Sequence, residues 1–266
     1  MKIIVCVKQV PDTSGKVAVN PDGTLNRASM ATITNPDDLN AVEAALVLKE
    51  QTGAEVVVVC MGPPPAEGML RECLARGCDR AVLVSGREFG GSDTYATSQI
   101  LAAAINKIGV DAEDIVMCGR QAIDGDTAQV GPQIAEKLGL PQISYAADIQ
   151  LDGSTVTVKR MLEDGYMTVK TQTPCLITCI KELNEPRYMS VYGIFDCYSK
   201  PYEVLDYNAL KDDPLIDPST IGLMGSPTNI LTSFTPPQKG AGMMLEGADK
   251  ATCDQLAGML AAKHMI

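Results

Sequence analysis

Four short apolar runs, each continuous rather than alternating, constrain this chain more than any other feature: IIVCV at 3–7, EVVVVC at 55–60, AVLVS at 81–85 and DIVMCG at 114–119. A strand with one face in water alternates apolar and polar residues; a strand covered on both faces does not. The four runs therefore predict central strands of a parallel sheet layered between helices. The intervening segments supply those helices. NPDDLNAVEAALVLKEQTG offers Asn35 as N-cap, Pro36 at the first helical position, Leu39, Val42 and Leu46 along one face, and Gly53 as a stop. Further helices are predicted over 66–77, over 92–109 with Ser92 or Asp93 as cap, and from about residue 127 to Gly139. Repeated β-α units predict an α/β fold with an open, mostly parallel, Rossmann-like sheet and right-handed crossovers.

After about residue 142 the pattern changes. TVTVKRM and YMTVKTQ alternate and predict an antiparallel hairpin around LEDG at 162–165, and PCLITCI at 174–180 predicts another buried strand. From about 184 periodicity fades, and the segment 210–240 is rich in proline without a core pattern. The expected organisation is a core over 1–190 and an extended arm over 191–266 that docks on a partner. A disordered tail would account for the prolines but not for the apolar residues among them.

The net charge of −11 argues against nucleic acid or an anionic membrane surface as a partner, since both call for a basic face. The apolar start MKIIVCVKQV lacks the length and cleavage site of a signal peptide, and no apolar stretch approaches a membrane span. The nine cysteines then read as cytosolic thiols, which places the protein in the cytoplasm. Cys73/Cys78 and Cys175/Cys179 lack zinc spacing, and the one histidine, His264, lies near the end of the chain; no metal site is expected.

Ligands of open parallel sheets bind beyond the carboxyl ends of the strands. KQVPD (8–12), CMGPPP (60–65), SGREFGGSDT (85–94) and CGRQAIDGDTAQVGP (118–132) occupy such positions. None carries a G-x-G-x-x-G or P-loop fingerprint. In the last segment Asp126 is placed to cap a helix starting at Thr127, while the amides of Thr127, Ala128 and Gln129 and the Thr127 hydroxyl remain for a phosphate. Arg120 is available to the same phosphate or to a structural pair with an aspartate, and Asp124 to a ribose hydroxyl or to the loop itself. Pro132 should kink a helix that begins at 127.

On VCVKQVPD at 5–12, NPDD at 35–38, CMGP at 60–63, GRQAIDGDTAQVGP at 119–132 and NEPRY at 184–188, the chain resembles the β subunit of electron-transfer flavoprotein over essentially its whole length. The resemblance implies a heterodimer with an FAD-carrying α subunit. It also implies an adenine nucleotide on this chain: AMP in the housekeeping branch, a second FAD in the bifurcating branch. The implied contacts are Cys6, Val7 and Lys8, then Cys60, Met61 and Gly62, on the adenine side, with Asn35 and Asp38 close by. Cys118, Gly119, Arg120 and Gln121, then Asp124, Gly125, Asp126, Thr127, Ala128, Gln129, Val130 and Gly131, surround the ribose and phosphates. DGDTAQVG and FGGSDTYATS are similar to the bifurcating branch. There Gly90 and Gly91 admit a flavin or nicotinamide, and Asp93, Thr94 and Thr97 reach the flavin ring or ribityl chain. Val191 corresponds to the apolar anchor of the dehydrogenase-recognition loop, although FDCYSK replaces the Lys-rich run that follows this loop in the housekeeping branch.

Three functions follow as alternatives. The first is a redox subunit that oxidises NADH only within the heterodimer. It would pass electrons to the α-subunit FAD, toward an acyl-CoA dehydrogenase, and to ferredoxin or flavodoxin. The second is a housekeeping subunit with structural AMP and no redox role. The third is a stand-alone nucleotide-binding regulator, which the proline-rich arm disfavours.

Overall fold

The computed structural model describes residues 1–12, 31–228 and 240–266. The four apolar runs form β1 (Lys2–Cys6), β4 (Glu55–Met61), β5 (Arg80–Val84) and β6 (Ile115–Gly119), and a short ribbon of β2 (Gln9–Pro11) and β3 (Thr32–Thr34) follows β1. Between them lie α1 (Pro36–Thr52), α2 (Glu67–Arg76) and α3 (Thr94–Ile108), with α4 (Val130–Leu138) after β6. The chain continues through β7 (Gln142–Asp152), β8 (Thr155–Leu162), β9 (Gly165–Gln172) and β10 (Cys175–Cys179). It then adds α5 (Val191–Asp196), β11 (Tyr202–Leu205), α6 (Tyr207–Leu210), α7 (Gly222–Gly225) and α8 (Lys250–Ala262).

Among the described residues nine strands make one sheet in the order β11-β5-β4-β1-β6-β10-β7-β8-β9. All neighbours from β11 to β7 are parallel, and the hairpin β8–β9 continues the sheet antiparallel from β7. This is the expected α/β sheet. The side chains of β1 show why its run is continuous. Ile3 and Val5 enter the core beneath α1 and α2, and Ile4 and Cys6 the core beneath α3 and α4. Each fully buried Ile or Leu stabilises the fold by about 1.5–3 kcal/mol. From β1 the chain moves outward through β4 and β5 on one side, then returns to place β6 and β10 on the other. The switch point thus falls at the carboxyl ends of β1 and β6, where open α/β sheets bind ligands.

Several elements differ from the sequence reading. Helix α1 does not bury one apolar stripe. Leu39 is only partly buried, while Asp37, Asp38, Asn40 and Glu43 are buried because each has a partner. The Asn40 amide donates to the Asn184 carbonyl at 2.8 Å, and the Arg187 guanidinium donates to Glu43 at 2.9 Å, which pins the NEPRY motif to α1. Strand β7, eleven residues long, lies before the expected hairpin and is an element the sequence reading did not predict. The segment after 200 also joins the core: β11 extends the sheet beside β5, and Leu205, Leu210, Ile216 and Ile221 are buried against α3 and its neighbours. Residues 229–239 of the proline-rich stretch lie outside the described residues. Helix α8 buries none of its residues. No helix among the described residues is long and apolar enough to cross a membrane.

Candidate nucleotide-binding site

A cavity of about 870 Å³ opens across the carboxyl ends of β1, β4, β5 and β6. The first turn of α1 builds its floor. Asp38 is buried, and its two carboxylate oxygens accept separately, one from the Lys8 amide at 2.8 Å and one from the Gly119 amide at 2.9 Å. One side chain thereby ties the end of β1 to the end of β6 at the switch point. Burial pushes its carboxyl up to about 7, against the lowering effect of these hydrogen bonds. Gly119 is required by the same contact, since a Cβ there would stand 2.4 Å from Asp38 Oδ1.

Asn35 is expected to cap α1 and to lie close to the nucleotide; its side chain makes no cap hydrogen bond and does not line the cavity. Its Nδ2 donates to the Gln121 carbonyl at 2.8 Å, and its Oδ1 accepts from the Ile123 amide at 3.1 Å, so it clamps the loop after β6 from behind. Both ends of the Asn35 amide are thus used on backbone groups of the loop rather than on the first turn of α1. Arg120 stands 3.3 Å from Asp37, the structural pairing of the two alternatives open in the sequence. Burial pushes the Asp37 carboxyl up, and the Arg120 charge pulls it back.

The turn 122–129 explains its aspartates. The Gly125 and Asp126 amides both donate to the Ala122 carbonyl. Asp126 takes a left-handed backbone (φ 50°), and its carboxylate accepts from Gln121 Nε2 at 2.7 Å. It therefore does not cap a helix at Thr127. Helix α4 starts three residues later, at Val130, without a side-chain cap. Pro132 then sits within the first turn, where no hydrogen bond is lost, and the expected kink has no cause. Asp124 is held by Lys8, whose Nζ lies 2.8 Å from both carboxylate oxygens. Ala128 is also left-handed (φ 54°), a costly backbone for a residue with a Cβ. Thr127 and Ala128 make no hydrogen bond among the described residues, and they line the cavity together with Gln129, Val130 and Gly131 at the start of α4, whose first amides have no partner within the helix.

The opposite wall comes from the loop after β5 and the start of α3. Asp93 caps α3 by accepting from the Ala96 amide at 3.0 Å, and it also accepts from the Thr228 amide at 2.9 Å. Gly91 (φ 76°) does not owe its missing side chain to a ligand alone, because a Cβ there would meet the Leu223 side chain at 2.8 Å. The segment 222–228 backs this wall through three more bonds: Leu223 amide to Gly90 carbonyl, Gly222 amide to Ser92 Oγ, and Asp93 amide to Ser226 Oγ.

The cavity gathers Cys6, Val7, Lys8, Asp38, Met61 and Gly62, the second wall's Gly90, Gly91, Asp93, Thr94 and Thr97, and Cys118, Gly119, Arg120 and Gln121. Asp124, Gly125, Thr127, Ala128, Gln129, Val130 and Gly131 complete the set. It does not include Asn35 and Cys60, which are buried behind the surface, or Asp126, which is exposed on the turn outside it. It adds Pro63, Pro64, Ser85, Gly86, Arg87 and Phe89, which the sequence reading placed in strand-end loops without singling them out. Cys6 and Cys118 are buried thiols pushed up by desolvation, Cys6 to about 12, and so act as packing groups. Val191 lies elsewhere, three-quarters exposed at the start of α5 beside exposed Tyr188, Tyr192 and Phe195.

Comparison with known proteins gives a consistent picture. Residues 22–204 match the model of the electron transfer flavoprotein domain. The chain is 67% identical over 267 residues to the acryloyl-CoA reductase electron transfer subunit gamma of Anaerotignum propionicum, with all of both chains covered. It is 51% identical to subunit CarD of the caffeyl-CoA reductase-Etf complex of Acetobacterium woodii, over 99% of this chain and 97% of the relative. It is 49% identical to the electron transfer flavoprotein subunit beta of Clostridium acetobutylicum, again with all of both chains covered.

Proposed function

The chain belongs to the electron transfer flavoprotein family, as a β-like electron-transfer subunit, and from that premise we propose that it holds FAD, serves NADH oxidation, and works in a bifurcating heterodimer. The observation that carries this reading is the extent of the cavity. The free amides at Thr127, Ala128 and the α4 terminus suit a phosphate. From there the space continues past the ends of β1 and β4 to a second wall of Gly86, Gly90, Gly91, Thr94 and Thr97, surface that a mononucleotide would leave uncovered. That wall is lined by glycines and is hydroxylated where α3 begins, and it is fixed from behind by residues 222–228. A planar ring with polar edges fits it.

FAD, when bound, would supply hydride acceptance and one-electron transfer. The residues of this chain orient and neutralise. Lys8 and Asp124 cancel one another at the mouth, Arg120 and Asp37 at the loop, so the nucleotide meets amide dipoles rather than opposing carboxylates. The apolar lining contributed by Val7, Met61, Val84, Phe89 and Leu101 excludes water from the ring side. Two of the named relatives belong to reductase complexes, one of acryloyl-CoA and one of caffeyl-CoA. By analogy the partners proposed here are a flavoprotein α subunit, an acyl-CoA dehydrogenase docking at Val191, and ferredoxin or flavodoxin, all in the cytoplasm.

Denaturing extraction of the purified heterodimer tests the reading. Two FAD and no AMP are expected; one FAD with one AMP would reject it in favour of the housekeeping role. Gly125→Asp sharpens the test. Gly125 has open space where its Cβ would be and no positive φ, so the fold tolerates the change while a carboxylate enters the phosphate region. It should remove one FAD of two and abolish NADH oxidation at unchanged heterodimer yield.

A further inference from the structure

The charged side chains that line the cavity are matched, with one exception. Lys8 is paired with Asp124 and Arg120 with Asp37; Asp38 is satisfied by two strand-end amides; Asp93 is satisfied by the amides of Ala96 and Thr228. Arg87 forms no ion pair or side-chain hydrogen bond among the described residues. It is exposed and lines the cavity on the second wall, away from the free amides of the 127–131 turn. Its backbone is not loose. It opens a 3-10 turn, Arg87–Phe89, whose Phe89 is buried against Tyr207, and whose exit at Gly90 is bonded to Leu223. In a chain of net charge −11, a guanidinium held on a braced wall and forming no ion pair, even with Glu88 next to it in the same turn, is a site for an anion. A guanidinium presents a planar fork that matches phosphate oxygens two at a time.

We propose that Arg87 receives the pyrophosphate of the reducing pyridine dinucleotide, so that this wall recognises the substrate while the 127–131 turn recognises the resident nucleotide. The proposal rests on the functional reading above. A nicotinamide stacked on a ring along the second wall would leave its phosphates to be met by that wall, and Arg87 is the unmatched cation among the described residues that line it. The resident nucleotide's own phosphates have the amides of the other wall and no need of Arg87. The remaining source of negative charge is the reduced ring itself, and the experiment separates the two.

The test uses the heterodimer with Arg87→Gln and Arg87→Lys, with equilibrium binding of NAD⁺ and of ADP-ribose read by calorimetry and FAD counted after extraction. ADP-ribose carries the pyrophosphate without the nicotinamide. Arg87→Gln is expected to weaken both ligands by about 10- to 100-fold, the loss of a charge-assisted hydrogen bond. Arg87→Lys should recover part of that loss, and two FAD should remain. Unchanged affinity for both ligands would overturn the proposal. So would loss of FAD, or a shifted flavin potential at unchanged NAD⁺ affinity, since either assigns Arg87 to the resident cofactor. Wild-type protein with two FAD that binds neither ligand would overturn the proposal and leave the flavin reading standing; one AMP in place of the second FAD would overturn both.

Discussion

Asp38 is a carboxyl group on which two strand ends depend, and its environment makes it titrate in an unusual range. Its ordinary value is 3.8, and burial raises it to about 7 in the folded chain. The folded state therefore holds a proton more tightly than the unfolded state. Its contribution to stability is fully present below about pH 4 and is lost as pH rises through about 7. Asp38→Asn removes the titration and also sets an amide NH₂ against one of the two backbone donors. The expected outcome is a mutant less stable throughout, with the deficit shrinking by a few kcal/mol between pH 4 and pH 8. Urea unfolding of both proteins at several pH values measures it; a deficit that grows with pH would contradict the assignment.

At the scale of elements, the region after residue 200 divides in two. Strand β11 and residues 205–228 belong to the core and to the cavity wall, whereas α8 buries nothing and leaves Leu256 exposed, with Met243, Met244, Met265 and Ile266 exposed on either side of it. An isolated helix of this length is marginal in water without a surface to lie on. Truncation after residue 228 should leave the melting temperature within about 2 °C while abolishing co-purification with the α subunit; intact heterodimer yield would show that the arm is dispensable. Truncation after residue 200 should unfold the core instead. This division was only partly legible in the sequence. The central strands and the helices α1–α3 announce themselves through local signals: continuous apolar runs, Pro36, Asp93, and glycine stops at 53, 77 and 109. Strand β11, YEVL, has no such signal because only its last residue is buried. The site divides likewise. Its loops were legible from their place after strands, but Lys8–Asp124 and Asn35–Gln121 join residues 116 and 86 apart, and no local pattern encodes such partners. Asp126 was misread because the same residue type serves equally as helix cap and as tight-turn residue, and the choice fell to Gln121.

At the scale of the whole molecule, the described residues include a run of exposed aromatics, Tyr188, Tyr192, Phe195 and Tyr198, beside exposed Val191 on and around α5, far along the chain from the cavity loops. Clustered exposed aromatics mark interaction surfaces, and their energy concentrates in a few central residues. Val191→Asp carries no core penalty at three-quarters exposure. It should slow electron transfer to the proposed acyl-CoA dehydrogenase partner by about tenfold or more, with flavin content and melting temperature unchanged; loss of flavin would instead make Val191 part of the fold. One property of the whole molecule remains, and it is a matter of time. The wall that faces the cavity at residues 90–93 is braced by residues 222–228, and the sheet edge at 80–84 waits for 202–205. A ribosome delivers the chain from its N-terminus, so four central strands and the 118–131 turn emerge long before the strand and brace that finish the pocket. The nascent chain passes through a stage with a formed floor and an unfinished wall. Capture of the proposed dinucleotide would in consequence be an event of the released chain, after synthesis, when the last contacts close over a separation of some 130 residues.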